Sequence, residues 1–194
     1  MENEQEQIKG FLKSSGMLNE EDINYFLENG KREQISKGDY LIREGQICKK
    51  LYFLHNGAIN IFILKDGNEH VKDFSLNNKF ITSYTSFQTE KPSLIYLRAE
   101  QDCKLTSWNK SFLNSLTRNS IHWAEFARNM ADYLLMRKEK REISLLLDSA
   151  ETRYLNFLKE YPQAFQAFPQ YLIASYLGIR PQSLSRIRKV LGTK

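Results

Sequence analysis

Five cationic side chains close the chain: Arg180, Arg186, Arg188, Lys189 and Lys194. After Glu160 there is no acidic residue at all, and these five charges equal the net charge of +5 carried by the whole protein. Guanidinium and ammonium groups gathered without counter-charges suit a polyanion, because a merely solvated helix face usually mixes signs. The blander alternative is a helical hairpin ending in a basic tail. What separates the two is the element that would carry the charges.

The stretch from Pro169 to Lys194 contains two short helical patterns that meet at Gly178. Ile173, Ala174 and Leu177 share a face of the first, and Leu184, Ile187 and Leu191 share a face of the second. Gly178 can take the positive φ of a sharp stop, Ala174 is small enough for close helix packing, and Pro181 suits a first helical turn. Two helices joined this way form a helix-turn-helix, whose second helix enters the major groove of duplex DNA.

The 194 residues allow one or two domains. No apolar run is long enough to span a membrane, and the acidic start Met-Glu-Asn-Glu-Gln-Glu-Gln lacks the basic and apolar regions of a signal peptide, so a cytoplasmic location is expected. Cys48 and Cys103 show no Cys-x-x-Cys spacing and imply neither a disulfide framework nor a zinc site. Residues 1–34 hold eight acids against four bases, so the chain is electrically polarised.

Residues 5–33 predict two short helices, with Ile8, Phe11 and Leu12 on one stripe and Leu18, Ile23, Phe26 and Leu27 on another. Asn19 opens the second, followed by acids. From Gln34 to about Leu105 the pattern is that of short strands with turns at Lys37-Gly38-Asp39, Glu44-Gly45-Gln46, Asn56-Gly57 and Asp66-Gly67, the last a strong hairpin signal. Many short strands at regular spacing predict a jelly roll. Helix returns near Ser111, and a long helix is expected over about 119–147. Trp123, Phe126, Met130 and Leu134 recur on it at spacings of three and four. Such a stripe is either core or, by its a/d-like spacing, the seam of a dimer, and the dimer is the expectation here. The segment 137–142, Arg-Lys-Glu-Lys-Arg-Glu, is expected to be solvated all round. Asp148-Ser-Ala-Glu151 reads as a capping box before a helix whose inner face is Tyr154, Leu155 and Leu158 and which Pro162 ends.

A β-roll, a long helix and a helix-turn-helix together resemble the Crp–Fnr family of bacterial transcription regulators. The strongest match is Leu177-Gly-Ile-Arg-Pro-Gln-Ser-Leu-Ser-Arg-Ile-Arg-Lys. Lys37-Gly-Asp-Tyr-Leu-Ile-Arg-Glu-Gly and Leu51-Tyr-Phe-Leu-His-Asn-Gly also look like the family's cyclic-nucleotide-binding domain. The resemblance implies an α+β fold with a sensor roll over 1–118, a dimerisation helix over 119–147 and a DNA-binding domain over 148–194. It implies a homodimer on a near-palindromic operator of double-stranded DNA, a small-molecule effector sensed in the roll, RNA polymerase as a further candidate partner, and no membrane association. Carried over by resemblance, the base-reading positions fall on Gln182, Ser183, Ser185 and Arg186. Arg186 can bond both acceptors of a guanine and Gln182 can bond adenine bidentately, while Arg180, Arg188 and Lys189 suit phosphates.

The chain departs from the family where cyclic AMP would be held. Family members that bind it use a cassette with Gly-Glu and, further on, Arg-Ser or Arg-Thr. Aligned on Leu97-Arg98-Ala99, this sequence has Ser93 in place of that arginine, Leu94 at the hydroxyl position, and Thr82, beside Ser83, roughly at the glutamate. No glycine occurs between Gly67 and Gly178, so a glycine-lined phosphate cradle is missing. An anion buried there without the arginine would be unpaired and costly, and Arg98 is the one nearby substitute. The expected effector is therefore not cyclic AMP: it is another molecule, held among Phe80, Tyr84, Phe87 and Tyr96, or there is none. The alternative is a cyclic-nucleotide-responsive regulator using non-standard contacts. With three residues after Leu191, a C-terminal wing hairpin is not expected.

Chemistry of other kinds finds little footing. There is no cysteine cluster for an iron–sulfur centre, His55, His70 and His122 are isolated, and no His-x-His spacing or nucleophile–base set appears. No metal, cofactor or catalytic residue is expected. A jelly-roll enzyme and a purely protein-binding roll are the weaker alternatives.

Overall fold

The computed structural model describes residues 2–192, so Lys194 lies outside the described residues. Two helices, α1 (Glu2–Lys13) and α2 (Glu20–Glu28), precede the strands β1 (Lys31–Ile35), β2 (Tyr40–Ile42), β3 (Lys50–Asn56), β4 (Ile59–Lys65), β5 (Asn68–Ser75) and β6 (Lys79–Ile81). The short helix α3 (Tyr84–Thr89) leads to β7 (Tyr96–Ala99) and β8 (Cys103–Asn109). The remainder is helical: α4 (Lys110–Asn119), α5 (Ile121–Leu147), α6 (Ala150–Glu160), α7 (Ala164–Ala167), α8 (Gln170–Leu177) and α9 (Pro181–Val190). Two antiparallel four-stranded sheets, ordered β1-β8-β3-β6 and β2-β7-β4-β5, face each other as a jelly roll. This is the expected α+β architecture.

Local chemistry explains most boundaries. The Asn19 side chain accepts the Asp22 amide at 2.8 Å and caps α2. Asp66 and Gly67, at φ 51° and 75°, make the primed two-residue turn between β4 and β5. Ser120 breaks the last helices of the roll into α4 and α5, its hydroxyl accepting from the Trp123 amide. The opening of α6 differs from expectation by one residue. Ser149, not Asp148, is the cap, accepting the Thr152 amide at 3.1 Å. Asp148 is already used, its carboxylate by the Ser144 hydroxyl and its carbonyl by Arg153. On α6 the inner face is Tyr154, Phe157 and half-buried Leu158, whereas Leu155 points outward at 40% exposure.

Three apolar cores result. One fills the roll between its sheets with Ile42, Leu54, Ile59, Ile81, Phe87, Ile95, Leu97 and Leu105 among others. A second lies between the N-terminal helices and the outer face of the β8–β3 sheet, where Phe26 stacks on Trp108 at 4.2 Å and on Trp123 at 4.9 Å. The third joins β5 to the C-terminal helices, with Phe74 against Phe168 at 4.1 Å and Tyr176 at 5.3 Å.

The second core corrects the dimer stripe. Trp123 and Phe126, at 4% and 9% exposure, are packed against the chain's own Ile8, Leu12, Ile23 and Phe26, and Met130 leans on the same cluster. Their apolar area is spent within the chain. Leu134 is half-buried further along α5. Apart from Ile121 at its start, the exposed large apolar residues of α5 lie from its middle onward, and Leu135, Met136, Ile143, Leu146 and Leu147 are among them. Spacings of seven, eight and eleven put these on one side of the helix. The 137–142 stretch is likewise not free in water throughout, since Arg137 and Arg141 are half-buried and bonded to neighbouring elements.

If Trp123 is core, Trp123→Ala should lower unfolding free energy by about 3–5 kcal/mol, seen as an earlier denaturant midpoint at any protein concentration. A loss confined to self-association, with the midpoint unmoved, would restore the dimer-seam reading.

Candidate DNA interface and effector cassette

The helix-turn-helix is built from α8, the turn and α9. Gly178 sits at φ 65°. Its amide bonds Ser175 O at 3.1 Å and the Ile179 amide bonds Ala174 O at 3.0 Å, the two bonds of a Schellman stop. Leu145 of α5 presses on this turn, its Cδ2 lying 3.2 Å from where a Cβ on residue 178 would be. Ala174 and Leu184 are fully buried, so the two helices meet closely. Arg153 holds the joint from below, donating to Leu177 O at 2.9 Å and to Asp148 O at 2.8 Å.

On α9, Leu184 points into the core and Ile187 and Leu191 lean on it. Gln182, Ser185, Arg186 and Lys189 fall on the opposite side at spacings of three, four and seven, and all four are exposed. Ser183 and Arg180 are exposed beside them. None of Arg180, Arg186 and Lys189 forms an ion pair among the described residues. The face thus offers one amide, two hydroxyls and three cations with no carboxylate competing for them. Arg188 behaves differently from its expected phosphate role. It is half-buried, and its guanidinium lies 4.5 Å above the Phe165 ring, so it props α9 against the neighbouring helices.

The cassette region is closed on itself. Ser83 and Ser93, at 2% and 1% exposure, share a hydrogen bond of 2.8 Å. The Ser93 hydroxyl donates to Ile95 O at 2.8 Å, which leaves Ser83 as donor in the shared bond. The backbone of Ser93 pairs with Gly45 and Gln46. Thr82 donates to Lys50 O, and Ser86 accepts the Cys48 amide and donates to Lys91 O. These groups tie α3 to the roll and have their protons committed. Leu94, expected at the pocket, is 71% exposed and lines nothing.

Arg98 is committed as well. Its guanidinium meets both carboxylate oxygens of Glu69 and, at 2.8–2.9 Å, Glu100, and it lies 4.9 Å over the Phe62 ring. The four aromatic candidates do not converge. Phe80 belongs to the N-terminal core and Phe87 to the roll interior. Tyr84 is exposed, and Tyr96 stacks on Phe62 at 5.0 Å on the far side of the sheet. Alternation along β7 could have put Tyr96 on the face opposite Leu97, which is buried in the roll; nothing in the sequence pattern announced the serine mesh.

The remaining reactive groups are structural. His55 is buried between Gln7 and Thr106, at 2.9 and 2.8 Å, and burial holds its pKa below the ordinary histidine value. Burial pushes the Cys103 thiol up to about 11, far from a reactive thiolate. Among the described residues no three His, Cys, Asp or Glu side chains gather as a metal site would require, and no helix is long and apolar enough to cross a membrane.

Residues 32–120 match the family model described as the cyclic nucleotide-binding domain. Among solved structures, FixK2 from Bradyrhizobium japonicum superposes with a TM-score of 0.75 at 20% identity, covering 84% of this chain and 85% of that one. CLP from Xanthomonas campestris, described as a c-di-GMP responsive global regulator, gives 0.68 at 17% identity, with 90% and 92% covered. A protein from Eubacterium rectale assigned to the Crp/Fnr family of transcriptional regulators gives 0.68 at 16%, with 90% and 84% covered. No curated protein matches the sequence. The roll is a domain of the cyclic nucleotide-binding type. The chain as a whole has the fold of the Crp–Fnr regulators.

Arg188→Ala should cost about 0.5–2 kcal/mol of stability through its lost ring contact, whereas Lys189→Ala should stay within about 0.5 kcal/mol of the parent, both read from denaturant melts. Equal melts for the two variants would return Arg188 to the phosphate set.

Proposed function

We propose that the protein is a sequence-specific DNA-binding transcription regulator whose roll does not take cyclic AMP. The observation that carries this is the exposed face of α9, which presents Gln182, Ser185, Arg186 and Lys189 without a single ion-pair partner among the described residues. Gln182, Ser183, Ser185 and Arg186 read bases, and Arg180 and Lys189 hold phosphates on either side of them. The units are a sensor roll over 1–118, the α5 helix over 119–147 and the reading head from 148 onward. Work on DNA places the protein in the cytoplasm.

The protein acts as a homodimer through the second half of α5. Leu135, Met136, Ile143, Leu146 and Leu147 are 49–80% exposed, a stripe that a soluble monomer would leave in water at a cost. Two-fold pairing then presents two copies of α9 to a near-palindromic operator. RNA polymerase is the downstream partner that such a regulator would engage.

Two observations support exclusion of cyclic AMP. The position aligned with the phosphate-binding arginine is Ser93, buried and with its hydroxyl already bonded. Arg98, the substitute that the sequence offers, is held by two carboxylates. A cyclic phosphate at this position would have to break these contacts to gain a cation from Arg98. The effector is another molecule or none. Solved structures similar to this chain include a global regulator, a kinase regulatory domain and a Crp/Fnr-family regulator, which supports a regulatory role over an enzymatic one.

Selection from a random DNA pool should recover paired half-sites about 34 Å apart or a multiple of that. Affinity should fall steeply with salt. Arg186→Ala should lose discrimination at one base pair, worth about 1–3 kcal/mol, while Lys189→Ala weakens all sequences about equally. An unchanged selection for Arg186→Ala would overturn the assignment of base-reading residues. Titration calorimetry with cyclic AMP should show no heat at micromolar concentrations; a saturable isotherm would overturn the effector reading.

A further inference from the structure

The reading head is not a bead on a hinge. α5 and α6 are joined by two residues, Asp148 and Ser149, which are the stop of one helix and the start of the next. A joint of that length spans about 7 Å and by itself fixes no direction. Direction comes from β5. Asp73 on that strand receives both arms of the Arg137 guanidinium, at 2.9 and 2.7 Å, and the Tyr161 hydroxyl at 2.9 Å. Arg137 also donates to Glu160 at 3.0 Å and meets the Tyr161 hydroxyl. One arginine of α5 therefore ties the roll, through Asp73, to the end of α6, through Glu160 and Tyr161. Its side chain is 20% exposed and that of Asp73 28%, so the pair is partly withdrawn from water.

A second set of contacts runs beside it. Ser175 on α8 accepts the Val71 amide at 3.0 Å and donates to Glu69 O at 2.9 Å, completing backbone groups on the open edge of β5. Arg141 donates to Tyr176 O at 2.8 Å while lying 4.3 Å over that ring. None of these contacts touches Gln182, Ser183, Ser185 or Arg186, which stay exposed in the docked head. Docking leaves the reading face open and fixes only where it points.

We infer that the Asp73–Arg137–Tyr161 junction sets the separation and tilt of the two reading heads, and so selects the half-site spacing of the operator. The inference rests on the DNA-binding reading above. A bidentate Arg–carboxylate pair resists rotation in a way that a single contact does not, and roll, α5 and head then move as one body on each side of the dimer axis.

The test uses the full-length protein and three forms: parent, Asp73→Arg, and the swap Asp73→Arg with Arg137→Asp. Circular dichroism melts confirm folding. Hydrogen exchange at the Val71 amide reports docking directly. It should be about tenfold or more faster in Asp73→Arg and return toward the parent in the swap. Binding is then measured to selected half-sites whose separation is changed by one or two base pairs. The parent should discriminate among spacings by about tenfold, Asp73→Arg by under about threefold, and the swap should regain the parent pattern. A folded Asp73→Arg protein with parental exchange and parental spacing preference would overturn the junction's role. Faster exchange with an unchanged spacing profile would overturn the operator consequence. If the parent ignores every duplex, the DNA-binding reading fails, and with it the operator consequence, while the exchange result still decides whether the junction fixes the head.

Discussion

A β-sheet edge left in water is an unfinished hydrogen-bonding surface, and β5 has only one strand neighbour, β4. Everything C-terminal depends on how its other edge is finished. The chain covers it with its own C-terminal helices. Ser175 supplies the missing backbone partners, and Val71, Phe74 and Ala58 join the apolar core of α6 and α8. The same contacts that protect the strand place the head. An alternative packing would expose Phe74, now 1% exposed, together with unpaired amides, and both penalties push toward one arrangement.

In the roll, the fold and the cassette make separate demands on the sequence. The roll needs its strands, turns and interior, and these are kept. The cassette needs a cation facing inward and backbone amides laid bare by glycine. Here hydroxyls of Ser83, Ser86, Ser93 and Thr82 bond one another or nearby carbonyls. Such a mesh stabilises α3 locally and offers no charge to a ligand. The nearby guanidinium of Arg98 is likewise committed, spanning β5 and β7 through Glu69.

Much of this was readable from residues alone, for identifiable reasons. The turn at Gly178, the start at Pro181 and the cap at Asn19 are local chemistry, and each stands where its residue type demands. The hairpin at Asp66-Gly67 is of the same kind. What failed was long-range. The spacing of Trp123 and Phe126 says only that they share a side of a helix, not whose surface covers it, and α1 and α2 cover it first. Arg137 and Arg141 read as solvated because their partners, Asp73 and the Tyr176 carbonyl, lie 64 and 35 residues away. At the cassette the identities were visible, Ser93 for arginine above all, but the hydrogen-bonded network that joins Ser83 to Ser93 needed geometry. Short strands such as β6 carry too few residues for alternation to show.

Leu145 touches the Gly178 turn from the very helix whose neighbouring leucines, Leu146 and Leu147, stand outward. The last turn of α5 therefore has two unlike sides: one braces the bend between α8 and α9, and the other is the exposed side on which the proposed second copy would pack. In the proposed two-fold pair, any crowding at that seam is passed through a single helical turn to the bend. The two-fold rotation then repeats the displacement at the far groove. A defect there cannot stay in one arm of the assembly.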